Sequence, residues 1–279
     1  MVDPIPDMNQ IVGSHDIVLL TLDTLRYDVA QQEFLAGRLP HLGAFLPADG
    51  WEKRHTPGSF TYAAHRAFFA GFLPTPAEPG LHPRLFALYF PGSETTHEHT
   101  AVFHSGDNIA AALAHLGYHT VCIGGVGFFN PYTPLGRDLP GLFDEAHWRP
   151  AFSVVAPDST AAQVTLACRR LSDPDFARRK LFLFMNISAL HQPNHHYLAG
   201  CEVDDIHSHA AALRYVDEAL APLWRTLRRR GPAFVIVCSD HGTAYGEDGY
   251  TGHRHAHEVV MTVPYAHFQL PRMTGSPND

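Results

Sequence analysis

The stretch Phe234-Val235-Ile236-Val237-Cys238-Ser239-Asp240-His241-Gly242 decides the fold, because a short apolar run ends in an aspartate and an imidazole. Apolar runs of this length fit strands buried on both faces, as in a parallel sheet. A second such run, Ile17 to Leu22, ends at Asp23 near the other end of the chain. In open α/β sheets, ligands bind beyond the carboxyl ends of the strands, so the two runs are expected to deliver Asp23, Asp240 and His241 to one edge. Carboxylates beside an imidazole suit a borderline divalent ion, zinc or alternatively manganese. Gly242 is expected to let the chain turn sharply past them. The competing reading of Asp240 is the cap of a following helix.

Working outward, strand patterns recur at Thr120 to Ile123, Leu181 to Ile187, Val259 to Val263 and Ser153 to Val155. Helical spacing of apolar residues runs through Asn108 to Leu116, stopping at Gly117, and through Thr160 to Leu171 and His207 to Arg229. This alternation predicts an α/β fold, a mainly parallel central sheet with helices on both faces, in one domain spanning 1–279. Two stretches break the scheme and read as long loops: Leu73 to Glu98, dense in proline and glycine, and Phe128 to Pro150. The tail from Pro271 reads as frayed.

A formal net charge of −8 argues against a nucleic-acid partner. The one basic cluster, Arg225 to Arg230, reads as the solvated end of a helix. Cys122, Cys168, Cys201 and Cys238 are scattered without a close pair, which predicts reduced thiols. The amino end has no basic start followed by a long apolar stretch, and no segment reaches about 18 apolar residues. The expectation is a cytoplasmic protein with no membrane partner.

Histidine is the abundant polar residue, 21 against 20 lysines and arginines together, so imidazole ligands are plentiful. His191-Gln-Pro-Asn-His195 follows the run Leu181 to Ile187, and its two imidazoles converge on one ion if the loop curls. Downstream, Gly252-His253-Arg254-His255-Ala256-His257-Glu258 offers further imidazoles. Alternation in an extended segment would put them on one side and a helix would separate them, so the sequence leaves open which points inward.

The last segment is Phe60-Thr61-Tyr62-Ala63-Ala64-His65-Arg66-Ala67-Phe68-Phe69-Ala70-Gly71. Together with Ile17-Val-Leu-Leu-Thr-Leu-Asp23-Thr-Leu-Arg-Tyr-Asp28 and Ser239-Asp-His-Gly242, it resembles the alkaline phosphatase superfamily, particularly the sulfatase-like branch, across roughly Asp16 to Pro264. The resemblance implies a three-layer α/β sandwich and a nucleophile at Thr61. It further implies one metal held by Asp23, Thr61, Asp240 and His241, with His191, His195 and His253 serving a second ion. His65 or Arg66 would neutralise the ester's non-bridging oxygens, with a surface ion pair as the competing reading of Arg66. Coordination of a threonine hydroxyl to a divalent metal lowers its pKa, which makes a phosphate ester of a small molecule the expected substrate.

The departures shape the expected chemistry. Sulfatases carry two adjacent aspartates where this chain has Asp23-Thr24, and they oxidise a cysteine or serine to formylglycine where it has Thr61. Their Gly-Lys-Trp-His segment is absent from Gly117 to Gly127, and the motif's proline and serine are Ala63 and Ala64. The expectation is therefore a metal-dependent hydrolase or phosphotransferase acting on a phosphate mono- or diester. The alternatives are a sulfatase-like ester hydrolase, a phosphoethanolamine-type transferase, and a non-enzymatic metal-binding partner protein.

Overall fold

Every residue of Leu181–Ile187 is buried, as only a strand covered on both faces and both edges can be. The computed structural model describes residues 6–71, 86–89, 101–104 and 108–273. Its first half runs α1 Met8–Ile11, β1 Asp16–Leu22, α2 Tyr27–Leu35, β2 Glu52–His55, α3 Thr61–Ala70, β3 Phe86–Tyr89, β4 Ala101–His104 and α4 Ile109–His115. There follow β5 His119–Ile123, β6 Glu145–His147, α5 Ser159–Leu171, β7 Leu181–Ile187, α6 Ile206–Arg230 and β8 Ala233–Cys238. The chain closes with β9 Ala244–Tyr245, β10 Thr251–Gly252, α7 Glu258–Met261 and β11 Thr262–Leu270.

Seven strands form the central sheet in the order β2-β11-β8-β1-β7-β5-β6. From β8 to β6 all pairings are parallel, and only β11 against β8 and β2 is antiparallel. Leu20 of β1 lies opposite Met185 on one side and Val237 on the other, so β1, β7 and β8 end level. That alignment puts Asp23, the loop after Ile187 and Ser239-Asp240-His241 along one edge.

Alternate side chains of these strands feed two separate cores. Val18, Leu20, Leu22, Met185, Val235 and Val237 pack with Val216, Leu220 and Leu223 of α6 and Val164 of α5. Ile17, Phe182, Phe184 and Phe234 pack on the other side with Phe69 of α3 and Leu113 of α4. The result is the three-layer sandwich. Phe184 touches the rings of Phe69, Phe129, Phe143 and His65 and is wholly buried. Truncating it to alanine costs about 3–5 kcal/mol, the usual range for a buried aromatic.

The long helix α6 starts where Asp205 accepts hydrogen bonds from the amides of His207 and Ser208 while the Ser208 hydroxyl accepts from the Asp205 amide. This reciprocal capping satisfies donors that a helix end otherwise leaves free. At its far end Arg230 is not solvated: its side chain donates to Asp16 Oδ2 at 2.9 Å and to the carbonyls of Leu171 and Phe176. Arg230 thus braces the amino end of β1, while Arg225 and Arg229 of the same cluster are exposed.

Several sequence expectations shift. Val259 to Val263 is not one strand: Glu258–Met261 forms α7, capped by His257, and β11 begins only at Thr262. Ser153 to Val155 lies in a turn after a short 3-10 helix. The strands β2 and β6 and the helix α2 were not legible; Glu52–His55 and Glu145–His147 are edge strands whose polar side chains erase the apolar pattern. Of the loop expected at Leu73 to Glu98, only Phe86–Tyr89 falls among the described residues, as a strand paired with β4. No disulfide joins the four cysteines.

Candidate active site

Asp23 leaves β1, Asp240 and His241 leave β8, and Thr61 opens α3, and these side chains meet in the buried interior at the sheet's carboxyl edge. A ligand atom from each of Asp23, Asp240 and His241 lies within 4.8 Å of the others. Thr61 Oγ1 stands 3.4 Å from Asp23 Oδ2 and 3.4 Å from His241 Nε2.

The hydrogen bonds around the cluster fix what each atom offers. Asp23 Oδ2 accepts from Asn186 Nδ2 at 2.9 Å, and Asp240 Oδ1 accepts from the amides of Thr24 and His241. The remaining oxygens, Asp23 Oδ1 and Asp240 Oδ2, are buried and accept nothing. His241 Nδ1 donates to the Gly242 carbonyl at 2.9 Å, which turns the lone pair of Nε2 toward Thr61. Orphaned carboxylate oxygens beside an imidazole lone pair form a donor set that fits a divalent cation and is costly without one.

Electrostatics agree with the geometry. Burial, then the charge of Asp240, pushes Asp23 up to about 6, and burial pushes Asp240 up to about 7. Burial holds His241 below the ordinary imidazole value. His253 is pushed down to about 3 by burial and by the neighbouring His241 and His191. Neutral imidazoles and carboxylates reluctant to ionise unaided are ready for a cation's positive charge.

Of the imidazoles nominated for a second ion, His191 and His253 come to the cluster and His195 does not. The ring of His253 lies 4.5 Å from that of His241 and 5.5 Å from that of His191. His191 Nδ1 donates to the Gln192 carbonyl, leaving Nε2 as an acceptor. His195 turns instead to Asp204, 3.1 Å from its Nδ1, and is drawn there by the amide bonds that Asn194 and His195 also donate to that carboxylate. Of the downstream imidazoles only His253 stands at the cluster among the described residues, since His255 stacks on Tyr250 and His257 caps α7 and pairs with Asp248.

His65 and Arg66 take other positions than the resemblance implies. His65 is fully buried; its Nδ1 donates to the Thr61 carbonyl at 2.7 Å and its Nε2 accepts from the Thr21 hydroxyl at 2.9 Å. Burial drives it down to about 3, so it is neutral and unable to offset charge on an ester. It underlies the cluster, with Nδ1 3.7 Å from Asp240 Oδ2. Arg66 points to the surface and pairs with Asp138 at 3.4 Å. The cation that does reach the cavity is Arg254, which forms no ion pair among the described residues.

Three contributors escaped the sequence reading. Asn186, inside β7, links Asp23 to the amide of Val126, which it accepts at 3.0 Å. Thr24 takes a left-handed φ of 65°, unusual for a β-branched residue, and spends its groups on Asp240 and on the Leu190 carbonyl. At the position of the sulfatases' second aspartate, this chain therefore has a brace between the loops that carry Asp23 and His191. Gly242 has a close-packing role in place of the expected sharp turn: a Cβ there would sit 1.9 Å from the Val259 carbonyl oxygen. Arg254 carried no spacing signal because its φ of 79° arises from its loop.

Above the cluster opens a cavity of about 590 Å³, bordered by Thr61, His191, His253 and Arg254 and by Val126, Phe128, Leu135 and Val154. Its size matches sites for small organic ligands.

No protein-family model matches the chain. A comparison with curated proteins gives no match. Solved structures do match. The C-terminal periplasmic domain of the phosphoethanolamine transferase EptC from Campylobacter jejuni superposes with a TM-score of 0.63 at 12% identity, covering 94% of this chain and 81% of that one. The C-terminal periplasmic domain of EcEptC from Escherichia coli in complex with Zn gives 0.58 at 13%, covering 94% and 74%. An alkaline phosphatase superfamily protein from Vibrio parahaemolyticus gives 0.55 at 16%, covering 92% and 61%. The cytoplasmic expectation does not survive, since two of these neighbours are periplasmic domains. That no helix among the described residues is long and apolar enough to cross a membrane carries no compartment. The seven-stranded, mainly parallel sandwich is the fold of the alkaline phosphatase superfamily.

Proposed function

We propose that the protein is a metal-dependent enzyme that transfers or hydrolyses the phosphoryl group of a phosphate mono- or diester, with Thr61 as nucleophile. The observation that carries this reading is the Thr61 hydroxyl at 3.4 Å from both Asp23 Oδ2 and the lone-pair nitrogen Nε2 of His241, on the border of an open cavity. Fold neighbours that are phosphoethanolamine transferases and a superfamily member support phosphoryl chemistry in general. A neighbour in complex with Zn supports zinc at such a site.

Asp23, Asp240 and His241 would hold one divalent cation, with Thr61 beside it. Such an ion supplies Lewis-acid polarisation of the ester and lowers the pKa of an adjacent hydroxyl. The chain's own residues do the rest. Thr61, fixed at the first turn of α3, is aimed at the phosphorus, and Asp23 Oδ2 receives its proton as the new P–O bond forms and the bond to the leaving alcohol breaks. Amides of the first helical turn, free of intrahelical partners, face developing negative charge, and Arg254 adds a full positive charge at the cavity wall. Water or another hydroxyl then takes the phosphoryl group from Thr61; the proton it gives up to solvent balances the one the departed alkoxide took from solvent, and the proton held at Asp23 Oδ2 returns to the threonine oxygen.

The reading favours one ion. His191 and His253 stand over the cluster, but without His195 a second site has two imidazoles and no carboxylate of its own. The test is turnover of a panel of phosphate mono- and diesters by protein stripped with chelator and reloaded with zinc or manganese. Turnover that appears only on reloading is expected. Full metal occupancy with no turnover of any ester would instead leave the non-enzymatic metal-binding protein standing.

A further inference from the structure

The cavity over Thr61 is lined by two different kinds of side chain. His191, His253 and Arg254 are polar, whereas Val126, Phe128 and Val154 belong to one apolar cluster that continues the core into the cavity. This wall reaches the nucleophile. Phe128 packs against the rings of Phe60 and Tyr62, the residues on either side of Thr61, at 6.3 and 5.8 Å. Phe128 also lines the cavity itself, so the ester substituent of a phosphoryl group seated at Thr61 occupies a space that Phe128 borders.

The charges available to that substituent are one-sided. No aspartate or glutamate borders the cavity among the described residues, and Arg254 does. The nearby carboxylate Asp138 is already engaged, accepting from Tyr62 Oη at 2.7 Å and pairing with Arg66. An ammonium group on the substrate would meet the like charge of Arg254 and no carboxylate, only neutral acceptors such as His191 and Gln192, which offset less of its desolvation than an ion pair would. An uncharged ring would gain by removing its own surface and that of Phe128, Leu135 and Val154 from water.

Resting on the phosphoester reading above, we infer that the organic group of the substrate is an uncharged aryl group, held by Phe128, Leu135 and Val154, and that a cationic ethanolamine headgroup is rejected.

Calorimetric titration of the zinc-loaded protein with phenylphosphonate and with 2-aminoethylphosphonate tests this without relying on turnover, because both carry the same non-hydrolysable anion. Phenylphosphonate is expected to bind at least about tenfold more tightly, the scale of burying an aromatic ring. Phe128→Ala should remove most of that margin. Leu135→Asp, at a side chain 53% exposed and so outside the core, should narrow or reverse it by supplying the missing carboxylate. Equal affinity for the two anions in the parent protein, or a margin untouched by both variants, overturns the inference and leaves the phosphoester reading intact. Binding of neither anion to the zinc-loaded protein overturns the phosphoester reading itself.

Discussion

His65 donates from Nδ1 to the carbonyl of Thr61, 2.7 Å away, and so ties the peptide of the proposed nucleophile to the floor of the site. The other nitrogen accepts from Thr21 in β1, so the imidazole bridges the first turn of α3 and a central strand. Rings of Phe68, Phe69, Phe129 and Phe184 surround it. This is the setting of a neutral structural histidine.

His65→Ala should therefore destabilise the fold by about 2–4 kcal/mol, combining a cavity with the loss of the hydrogen bonds to Thr21 and to the Thr61 carbonyl. Arg66→Ala should stay within about 0.5 kcal/mol, since its pairing with Asp138 is partly solvated. Urea denaturation of the metal-free proteins measures both. A neutral His65→Ala would return that residue to a role in the chemistry alone.

What the sequence revealed and what it hid divide along a physical line. Ile17 to Leu22 and Ala233 to Cys238 were legible because strands buried on both faces must be apolar throughout, and their exits named Asp23, Asp240 and His241 directly. Edge strands such as Glu52–His55 carry no such demand. Residues adjacent in sequence can diverge in space, and this is why His195 was grouped with His191 although Asp204 holds it elsewhere. Asn186 was invisible because a polar residue within an apolar strand has no period to betray it, and its partner Asp23 is distant in sequence. Arg254 and Thr24 depend on backbone conformations that no residue pattern announces.

Metal content should separate the imidazoles. Asp240→Asn removes the charge of one ligand and His241→Ala removes another outright, from a set of few, and each should abolish stoichiometric zinc by elemental analysis. His195→Ala should leave zinc unchanged, because that ring is engaged by Asp204. Loss of an ion from the His195 variant would mean that the loop closes over the site when metal binds.

Zinc affinity should fall steeply with acid. Asp23 and Asp240 hold their protons up to about pH 6 and about pH 7 when no cation is present, and the ion must displace them. Between pH 7.5 and 5.5 the apparent affinity should drop on the order of a hundredfold through these two groups. In the metal-free protein the sign for stability is the reverse. Because both folded pKa values lie above the ordinary 3.8, the two carboxylates weaken the fold most above about pH 7 and are relieved as the pH falls. The zinc-induced rise in Tm should accordingly grow from pH 5.5 to 7.5, and a rise independent of pH would show that these carboxylates are not the ligands. His65, pushed down to about 3, penalises acid in both forms and drops out of the difference.

Thr61→Ala should abolish turnover of a phosphate ester while sparing metal, because Asp23, Asp240 and His241 keep their positions and Thr61 brings only a hydroxyl. Thr61→Ser should retain measurable activity, since the hydroxyl stays and a methyl group is lost. With the parent protein, acid quench during turnover should add about 80 Da to the peptide holding Thr61, the mass of a phosphoryl group. If Thr61→Ala with zinc bound turns over the ester at the parent rate, the nucleophile is a water. In that case Arg254 and the α3 amides still bind the anion, and the fold shared with the phosphoethanolamine transferases carries here a displacement without a covalent intermediate.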